Sequence, residues 1–344
     1  MEIDRSAEEK EMKVPPDLSI LQRRQAALLY LYASKEFLEE LDEMANRLMR
    51  FADNTLSTAR NEHRDQVLAD AQWGARNTSE NWAKYAWPFL HDFKRSLLTD
   101  IANRAIDHYQ ITGTNQFIRG SSEYSLQWTT PNEYRECERM MNDISHHGSI
   151  IDGTMTRFFP TSSWDDFGFA MALQEHGRRF TRLPRFRIRT DVEGVTDAIP
   201  PRTGVYIPQD DVHGAMQFAW HGVVENRRDG RLLECATFND IGLHALQLVG
   251  RSDLWLDVQK MFDFAMLPKY SRVLRKHLHC VDEILPELGH SAVARHAFKS
   301  RACKWYFVEM IEGEFDDIDD GTISAVIDEP VLLEAIDPQA PASQ

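Results

Sequence analysis

The stretch TGVYIPQDDVHGAMQFAWHG, residues 203–222, decides the fold because two strand-like segments flank a turn within it. Residues 204–208 and 215–220 are rich in β-branched and aromatic side chains, which favour strands. Between them, residues 210–214 contain two aspartates and a glycine, which favour turns. The stretch therefore predicts a β-hairpin with polar residues at its tip.

A third strand-like segment follows the hairpin. Residues 231–238 again combine β-branched and aromatic side chains, and the polar segment 226–230 precedes them. Pro200 and Pro201 mark the point at which helical periodicity gives way to strand-like segments. We therefore predict a three-stranded antiparallel meander.

Two groups of apolar residues are predicted to be buried with this sheet. The first group alternates along the second strand and so shares one face of it. The second group lies in a helix that is predicted to begin at Ser252 and to pack against the sheet. The first group is Met216, Phe218 and Trp220, and the second is Leu254, Trp255, Met261 and Phe262.

Capping signals predict helices on both sides of the strands. Ser19, with a glutamine three residues later, begins a capping-box pattern and a helix that extends to about residue 60. Pro88 is expected to kink or divide a second helical stretch, residues 66–109, because proline lacks an amide donor. The sequence TPNE at 130–133 starts another helix, and Gly148 is expected to end it. Further helices are predicted at 164–177, 239–249, 253–262, 270–287 and 291–311.

These patterns predict a mainly α protein of the α+β class, in which a bundle-like set of helices carries the small three-stranded antiparallel β-meander. We expect a flexible lead at 1–17, a helical region at 18–199, the meander plus helices at 200–312, and an acidic tail at 313–344. One continuous fold from 18 to 312 is the alternative, because only two prolines mark a boundary near residue 200.

The formal net charge of −15 is concentrated at the C-terminal end of the chain. Residues 305–344 contain eleven aspartates and glutamates and no lysine or arginine, so they carry −11 and the other residues carry −4. A negative field repels phosphate, which argues against free nucleic acid as a partner. The charge favours a protein partner with a basic cleft.

Six arginines form a basic strip between residues 178 and 189, in a segment predicted to be a loop or extended. Two arrangements are open for the acidic tail. Its aspartates could steer and hold a basic partner, or they could pair with the strip within one molecule. The aspartates proposed to contact a partner are Asp316, Asp317, Asp319 and Asp320.

Cysteine usage and hydropathy indicate a cytoplasmic protein. The four cysteines are scattered and never form a C-x-x-C pair, so their spacing suggests neither a disulfide framework nor a zinc site. No apolar run is long enough to predict a membrane span, and the first residues lack the pattern of a secretory signal. We therefore expect no membrane association.

The hairpin tip carries side chains of the types that bind metals. Asp210, Asp211 and His213 lie within four positions of one another. Turns select aspartate and glycine for backbone reasons alone, and this accounts for their spacing. We interpret the three residues as an exposed binding tip rather than a metal site. Common catalytic and nucleotide-binding motifs are absent from the sequence, so it predicts no catalytic residues, no metal and no cofactor.

The stretch at 203–222, together with TFNDIGLHALQLVGRSDLWLD at 237–257 and KMFDF at 260–264, resembles the immunity proteins of bacterial polymorphic toxin and type VI secretion systems. The group it resembles is immunity protein family 72, which often follows a family 71 region. The similarity is looser upstream of residue 203 and leaves the acidic tail outside. It implies a cytosolic antidote that binds a cognate toxin and blocks it without catalysis. No functional residues carry over from it.

Two other classes of function remain open. One is an enzyme that reverses toxin damage, such as a metal-assisted hydrolase that uses Asp210, Asp211 and His213. The other is an interaction or scaffold protein of an unrelated system. The sequence leaves the oligomeric state undetermined.

Overall fold

The computed structural model describes residues 17–69, 74–156, 158–159, 162–222, 230–280 and 283–317. These residues fall into two compact units. The sheet unit contains the described residues of 1–29, 157–221 and 230–344, and the helical unit contains those of 30–156 and 222–229. Helices prevail over strands, which confirms the predicted α+β class. Among the described helices, none has both the length and the apolar character needed to cross a bilayer.

The α-helices are α1 (Ile20–Ala33), α2 (Lys35–Asn61), α3 (Arg64–Ala69), α4 (Ser79–Tyr85), α5 (Trp87–Arg104), α6 (Thr114–Ser122), α7 (Pro131–Thr156), α8 (Asp166–His176), α9 (Asp240–Val249), α10 (Val258–Ala265), α11 (Ser271–Leu274) and α12 (Gly289–Ala297). Short 3₁₀ helices lie at Gly74–Asn77, Gly177–Arg179, Arg275–His277 and Pro286–Leu288.

The strands are β1 (Phe158–Phe159), β2 (Ser162–Ser163), β3 (Arg182–Val195), β4 (Gly204–Pro208), β5 (Gln217–Ala219), β6 (Cys235–Phe238), β7 (His279–Cys280), β8 (Glu283–Ile284), β9 (Phe298–Arg301) and β10 (Lys304–Asp317). They form a four-stranded sheet in the order β3-β10-β4-β5 and the two-stranded sheets β1-β2, β6-β9 and β7-β8.

The hairpin predicted from residues 203–222 is confirmed. β4 pairs antiparallel with β5, and Val205 lies opposite Phe218. Met216, Phe218 and Trp220 are each at most 2% exposed, so the predicted face of the second strand is buried.

The predicted three-stranded meander is wrong beyond this hairpin. β6 pairs with β9 rather than with β5. Residues 230–236 do run alongside β5, but the side-chain amide of Gln217 replaces the strand ladder there. It donates to the carbonyl of Leu233 at 3.0 Å and accepts from the Leu233 N–H at 2.9 Å. Backbone hydrogen bonds join the two segments only at their ends, from Trp220 to Gly230 and from Ala215 to Ala236.

The helix predicted at 291–311 is wrong after residue 297. α12 ends at Ala297, and the chain then forms β9 and β10. Residues 305–308, with the sequence WYFV, pair with β4 on one side and are flanked by β3 on the other, which makes β10 the central strand. The helix predicted at 270–287 is also wrong, because α11 lasts one turn and the short β7–β8 hairpin follows.

Buried aromatic residues hold the four-stranded sheet together. Tyr206 and Trp305 are both 0% exposed, and the Tyr206 ring lies 5.5 Å from that of Phe307. Both polar groups of the buried pair are satisfied. The Tyr206 hydroxyl donates to the Arg202 carbonyl at 2.7 Å, and the Trp305 indole N–H donates to Thr196 Oγ1 at 3.2 Å.

A second apolar core surrounds Trp255, which is 2% exposed. The burial of this tryptophan is confirmed, but the helix predicted from Ser252 is wrong. Trp255 has a φ of +73°, and α10 begins only at Val258 with Asp257 as its N-cap. The Trp255 ring contacts Phe167 in α8, Phe238 in β6 and Phe298 in β9. It therefore packs against the two-stranded sheet β6-β9.

Capping patterns in the sequence correspond to helix starts in the structure. Ser19 and Gln22 exchange side-chain to backbone hydrogen bonds, as do Thr130 and Glu133. The helix predicted from residue 19 to about 60 is interrupted at Ser34, which caps α2. α5 begins immediately before Pro88, as expected from its missing donor.

α7 continues past Gly148 to Thr156, so the prediction that Gly148 ends this helix is wrong. Its role is close packing within the helical unit. A Cβ at Gly148 would lie 2.1 Å from Oγ1 of Thr114, which is fully buried. The absence of a side chain at 148 therefore lets α6 lie against α7.

We predict that Gly148→Ala lowers the free energy of unfolding by about 1–3 kcal/mol, the usual cost of overpacking. Thr114 is buried and β-branched, so it cannot rotate away from the new methyl group. Ser149→Ala, at the adjacent exposed position of α7, is the matched control. Urea unfolding of the three proteins checks this. Equal stability of Gly148→Ala and the wild type would contradict the packing role.

We predict that Trp255→Ala lowers the free energy of unfolding by about 3–5 kcal/mol, the usual cost of deleting a core aromatic residue. Trp255→Phe should lose less, because it keeps part of the ring contacts and removes mainly the 2.8 Å hydrogen bond from the indole N–H to Asp166 Oδ2. Thermal and urea denaturation measure both. If Trp255→Ala melted at the wild-type temperature, the ring would have no role in the core.

Candidate interaction surface

β3 and β10 form a long antiparallel ribbon that carries the arginine strip and the start of the acidic tail. Only residues 305–308 of β10 also pair with β4. Beyond these, Glu309, Met310 and residues 315–317 pair with β3 alone. We call the paired residues 182–189 and 309–317 the charged ribbon.

A bulge interrupts the charged ribbon. Met310 lies opposite Phe186 and Phe315 lies opposite Pro184, so β10 has four residues, 311–314, where β3 has only Arg185. Gly313, within this bulge, has a φ of +75°, which glycine adopts without a Cβ penalty. The bulge brings Asp316 and Asp317 back into register with the arginines of β3.

Glu309 is the acidic centre of the charged ribbon. Arg187 Nε donates to Glu309 Oε2 and Arg189 NH1 donates to Glu309 Oε1, both at 3.0 Å. A third guanidinium, that of Arg202, lies 3.6 Å from Glu309 Oε1. The hydrogen bond from Arg187 is the main reason why the pKa of Glu309 is held below its usual value.

Asp316 and Asp317, predicted to contact a partner, lie in ion pairs within the molecule. Asp316 accepts from Arg185 Nε at 2.9 Å and from Arg23 NH1 at 2.6 Å. Asp317 accepts from Arg182 Nε at 3.0 Å. The structure thus has the intramolecular pairing that the sequence left open. The other two aspartates of that prediction, Asp319 and Asp320, lie outside the described residues.

The charged ribbon is exposed and includes apolar side chains. Phe315 is 47% exposed and lies under the Arg182 guanidinium at 5.4 Å, and Met310 is 44% exposed. β3 is an outer strand of the sheet, so unpaired backbone groups lie along its edge. Pro184 removes one donor there, and the arginines add charge, two features that discourage indiscriminate strand pairing.

The hairpin tip is anchored by an arginine that sequence reasoning missed. Arg301 in β9 binds both tip carboxylates. Its NH2 lies 2.6 Å from Asp210 Oδ1, and its Nε lies 3.3 Å from Asp211 Oδ2. Asp211 also accepts the N–H of His213 at 2.9 Å, which is the turn chemistry expected of aspartate. The His213 ring lies 5.6 Å from that of Phe238.

The tip and the charged ribbon are therefore surfaces of paired charges. A guanidinium occupies the space between the carboxylates at the tip, an arrangement that favours an ion pair over a metal. Within the described part of the chain, no three histidine, cysteine, aspartate or glutamate side chains are placed to hold a metal ion. The sequence signal for Glu309 is the strand-like alternation in β10, which the predicted helix at 291–311 overlooks.

Buried ionisable groups gather at a different place, in the helical unit. Asp152 Oδ1 accepts the Thr112 N–H at 2.6 Å, and burial raises the pKa of Asp152 to about 6. Arg104 is 8% exposed and lies 4.4 Å from the centre of the Tyr109 ring, and burial lowers its pKa to about 10. Asp152 binds backbone here, so the cluster anchors the segment between α5 and α6.

The chain matches no family model, no curated protein and no solved structure. The resemblance to immunity proteins at residues 203–264 therefore stays an expectation from the sequence.

We predict that Asp152→Asn changes how stability depends on pH. Because the pKa of Asp152 in the folded state, about 6, lies above the ordinary aspartate value of 3.8, folding favours the protonated form. The Asp152 contribution to the free energy of unfolding is therefore full below about pH 4 and is lost as the pH rises through about 6. Asparagine keeps an acceptor for Thr112 without this loss.

Urea unfolding of the wild type and Asp152→Asn at several pH values measures the effect. The difference in unfolding free energy, variant minus wild type, should increase with pH across this window. A difference that stays constant with pH would contradict the buried ionisation.

Proposed function

We propose that this protein is an immunity protein, which binds a cognate secreted antibacterial toxin in the cytoplasm and blocks its active site without catalysis. The resemblance at residues 203–264 is the starting point. These residues form β4, β5, β6, α9 and most of α10, and their large aromatic side chains, such as Trp220 and Trp255, are buried. The buried part of this segment supplies the scaffold, so the toxin-binding surface is sought at the hairpin tip within it and outside the segment.

The observation that supports a binding role is the exposed charged ribbon. Its carboxylates at Glu309, Glu314, Asp316 and Asp317 are paired with arginines, so a partner meets side chains whose positions are already fixed. Ordering such side chains in advance reduces the entropy cost of association. Exposed Phe315 and Met310 add apolar contact area beside the charges.

The net charge of −15 adds long-range attraction for a toxin with a basic cleft. Such attraction increases the association rate and weakens as salt screens it. At contact, basic groups of the toxin compete with Arg182 and Arg185 for Asp316 and Asp317. We propose that this exchange, together with the tip residues Asp210, Asp211 and His213, places the antidote over the toxin active site.

Co-expression with the product of the adjacent gene tests the function. We expect the two proteins to co-purify in a stoichiometric complex and the toxin activity to be suppressed in proportion to the antidote added. Suppression at far less than one antidote per toxin would indicate an enzyme that reverses the damage. If the two proteins neither co-purify nor affect each other's activity, the proposal is wrong.

We predict that replacing Asp316 and Asp317 by asparagine slows association with the toxin at low salt, because two negative charges are lost and the ion pairs of Arg23 and Arg182 with them are removed. At raised salt the rates should converge. The matched control replaces Glu136 by glutamine and Asp143 by asparagine, two carboxylates paired with Arg139 on α7. Stopped-flow or biosensor kinetics measure the rates. Equal rates for the ribbon variant and the wild type at both salt levels would exclude a steering role for these aspartates.

A further inference from the structure

The helical unit contains a cleft that the proposed function does not use. Its volume is about 770 Å³, within the usual range for binding sites. Residues of α4, α6, the segment 124–130 and the first three turns of α7 line it.

The cleft combines an apolar surface with a partly exposed aromatic residue. Trp82, Ile118, Leu126 and Met141 supply apolar side chains. Tyr134 on α7 also lines the cleft, and its side chain is 45% exposed. Tyrosine commonly anchors protein interfaces, so an exposed tyrosine in a cleft is suited to contact a partner.

The polar groups of the cleft include several without a partner. Ser121 is 6% exposed, and its Oγ is buried without a hydrogen bond. Such a hydroxyl costs free energy unless a water or a ligand satisfies it. The side-chain amides of Gln127 and Asn142 also line the cleft, and neither forms a hydrogen bond with another described residue. Each amide has both a donor and an acceptor, as does a peptide group.

The walls of the cleft are held in place without a ligand. The Trp82 and Trp128 rings lie 5.6 Å apart, and the Trp128 indole N–H donates to the Ser125 carbonyl at 3.1 Å. At the start of α7, Glu133 forms a capping box with Thr130 and also binds Arg64 at 2.6 Å. The site is thus preformed, which favours binding.

The length of the cleft sets the size of its occupant. The α7 wall runs from Pro131 to Asn142, which is about 16 Å at the helical rise of about 1.5 Å per residue. An extended polypeptide covers this distance with about five residues. Arg135 and Glu138 on this wall have opposite charges, so the cleft does not select a strongly anionic ligand such as a phosphate ester.

We propose that this cleft binds an extended segment of a partner polypeptide, about five residues long, with an aromatic or long aliphatic side chain against Trp82 and Met141. Main-chain groups of the segment pair with Ser121, Gln127 and Asn142. This inference goes beyond the proposed function, because it requires no toxin and involves residues remote in sequence from the charged ribbon.

The test uses the full-length protein and a phage-displayed library of random linear peptides. We expect the wild type to select peptides that share an apolar position. Synthetic versions should bind with dissociation constants that Tyr134→Ala raises at least about tenfold, the size of an interface anchor. Glu138→Arg should change which peptides are selected. Fluorescence polarisation measures the affinities, and thermal melting establishes that the variants are folded.

Two control variants lie in the same unit and outside the cleft. Leu98→Ala removes another exposed apolar side chain, which is 53% exposed, and Glu36→Arg reverses an exposed charge on α2. Both should bind the peptides as the wild type does. Failure to select any shared sequence, or equal binding by Tyr134→Ala and the wild type, would overturn the proposal. So would a wild-type dimer that Tyr134→Ala dissociates in sedimentation experiments, because the occupant would then be a second copy of this chain.

The cleft and the toxin proposals fail separately. Loss of peptide binding in Tyr134→Ala says nothing of the adjacent gene product, whose complex is measured on its own. Conversely, a toxin complex that forms normally with Tyr134→Ala, together with weaker peptide binding by the same variant, would show that the two binding activities are separate.

Discussion

The sheet unit depends on the pairing of β10 with β3 on one edge and with β4 on the other. This pairing buries Trp305 and Val308 completely. It also joins segments that are about a hundred residues or more apart in the chain, so the loop-closure entropy must be offset by this burial. The surface charges follow from the same register. Glu309 lies opposite Arg187, and Arg189 is two residues further along β3, which places the carboxylate between the two guanidinium groups.

The elements that the sequence predicts correctly are those set by residues close together in the chain. The turn residues of 203–222 predicted the hairpin, and the capping boxes at Ser19 and Thr130 predicted two helix starts. The helix prediction over β10 is wrong because its apolar and aromatic residues follow the helical pattern of 291–297 and fit either period over a short window. Gly148 shows the converse limit. A glycine that ends a helix and one that admits a neighbouring helix are identical in sequence.

The candidate sites show the same division between local and distant information. Aspartates at the tip and tail were identified as charged surface residues, and the described ones are paired. Their partners could not be deduced, because Arg301 reaches Asp210 across about ninety positions and Arg23 reaches Asp316 across nearly three hundred. One signal was available for the ribbon. A strip of arginines and an excess of carboxylates in the same chain indicate that the two neutralise each other. The register of β10 with β3 then determines which arginine pairs with which carboxylate.

A surface of paired charges has a particular value for a protein that must bind one partner and no other. Exposed ion pairs contribute little to folding, so their carboxylates can exchange arginine for a partner's basic groups at small cost in stability. An unsuitable partner leaves one of the charges desolvated and unpaired, and that penalty is the basis of discrimination. The exposed edge of β3 would otherwise accept any strand, but Pro184 and the arginines oppose this. The selectivity that we propose for the charged ribbon would therefore follow from the same residues that keep the sheet from extending.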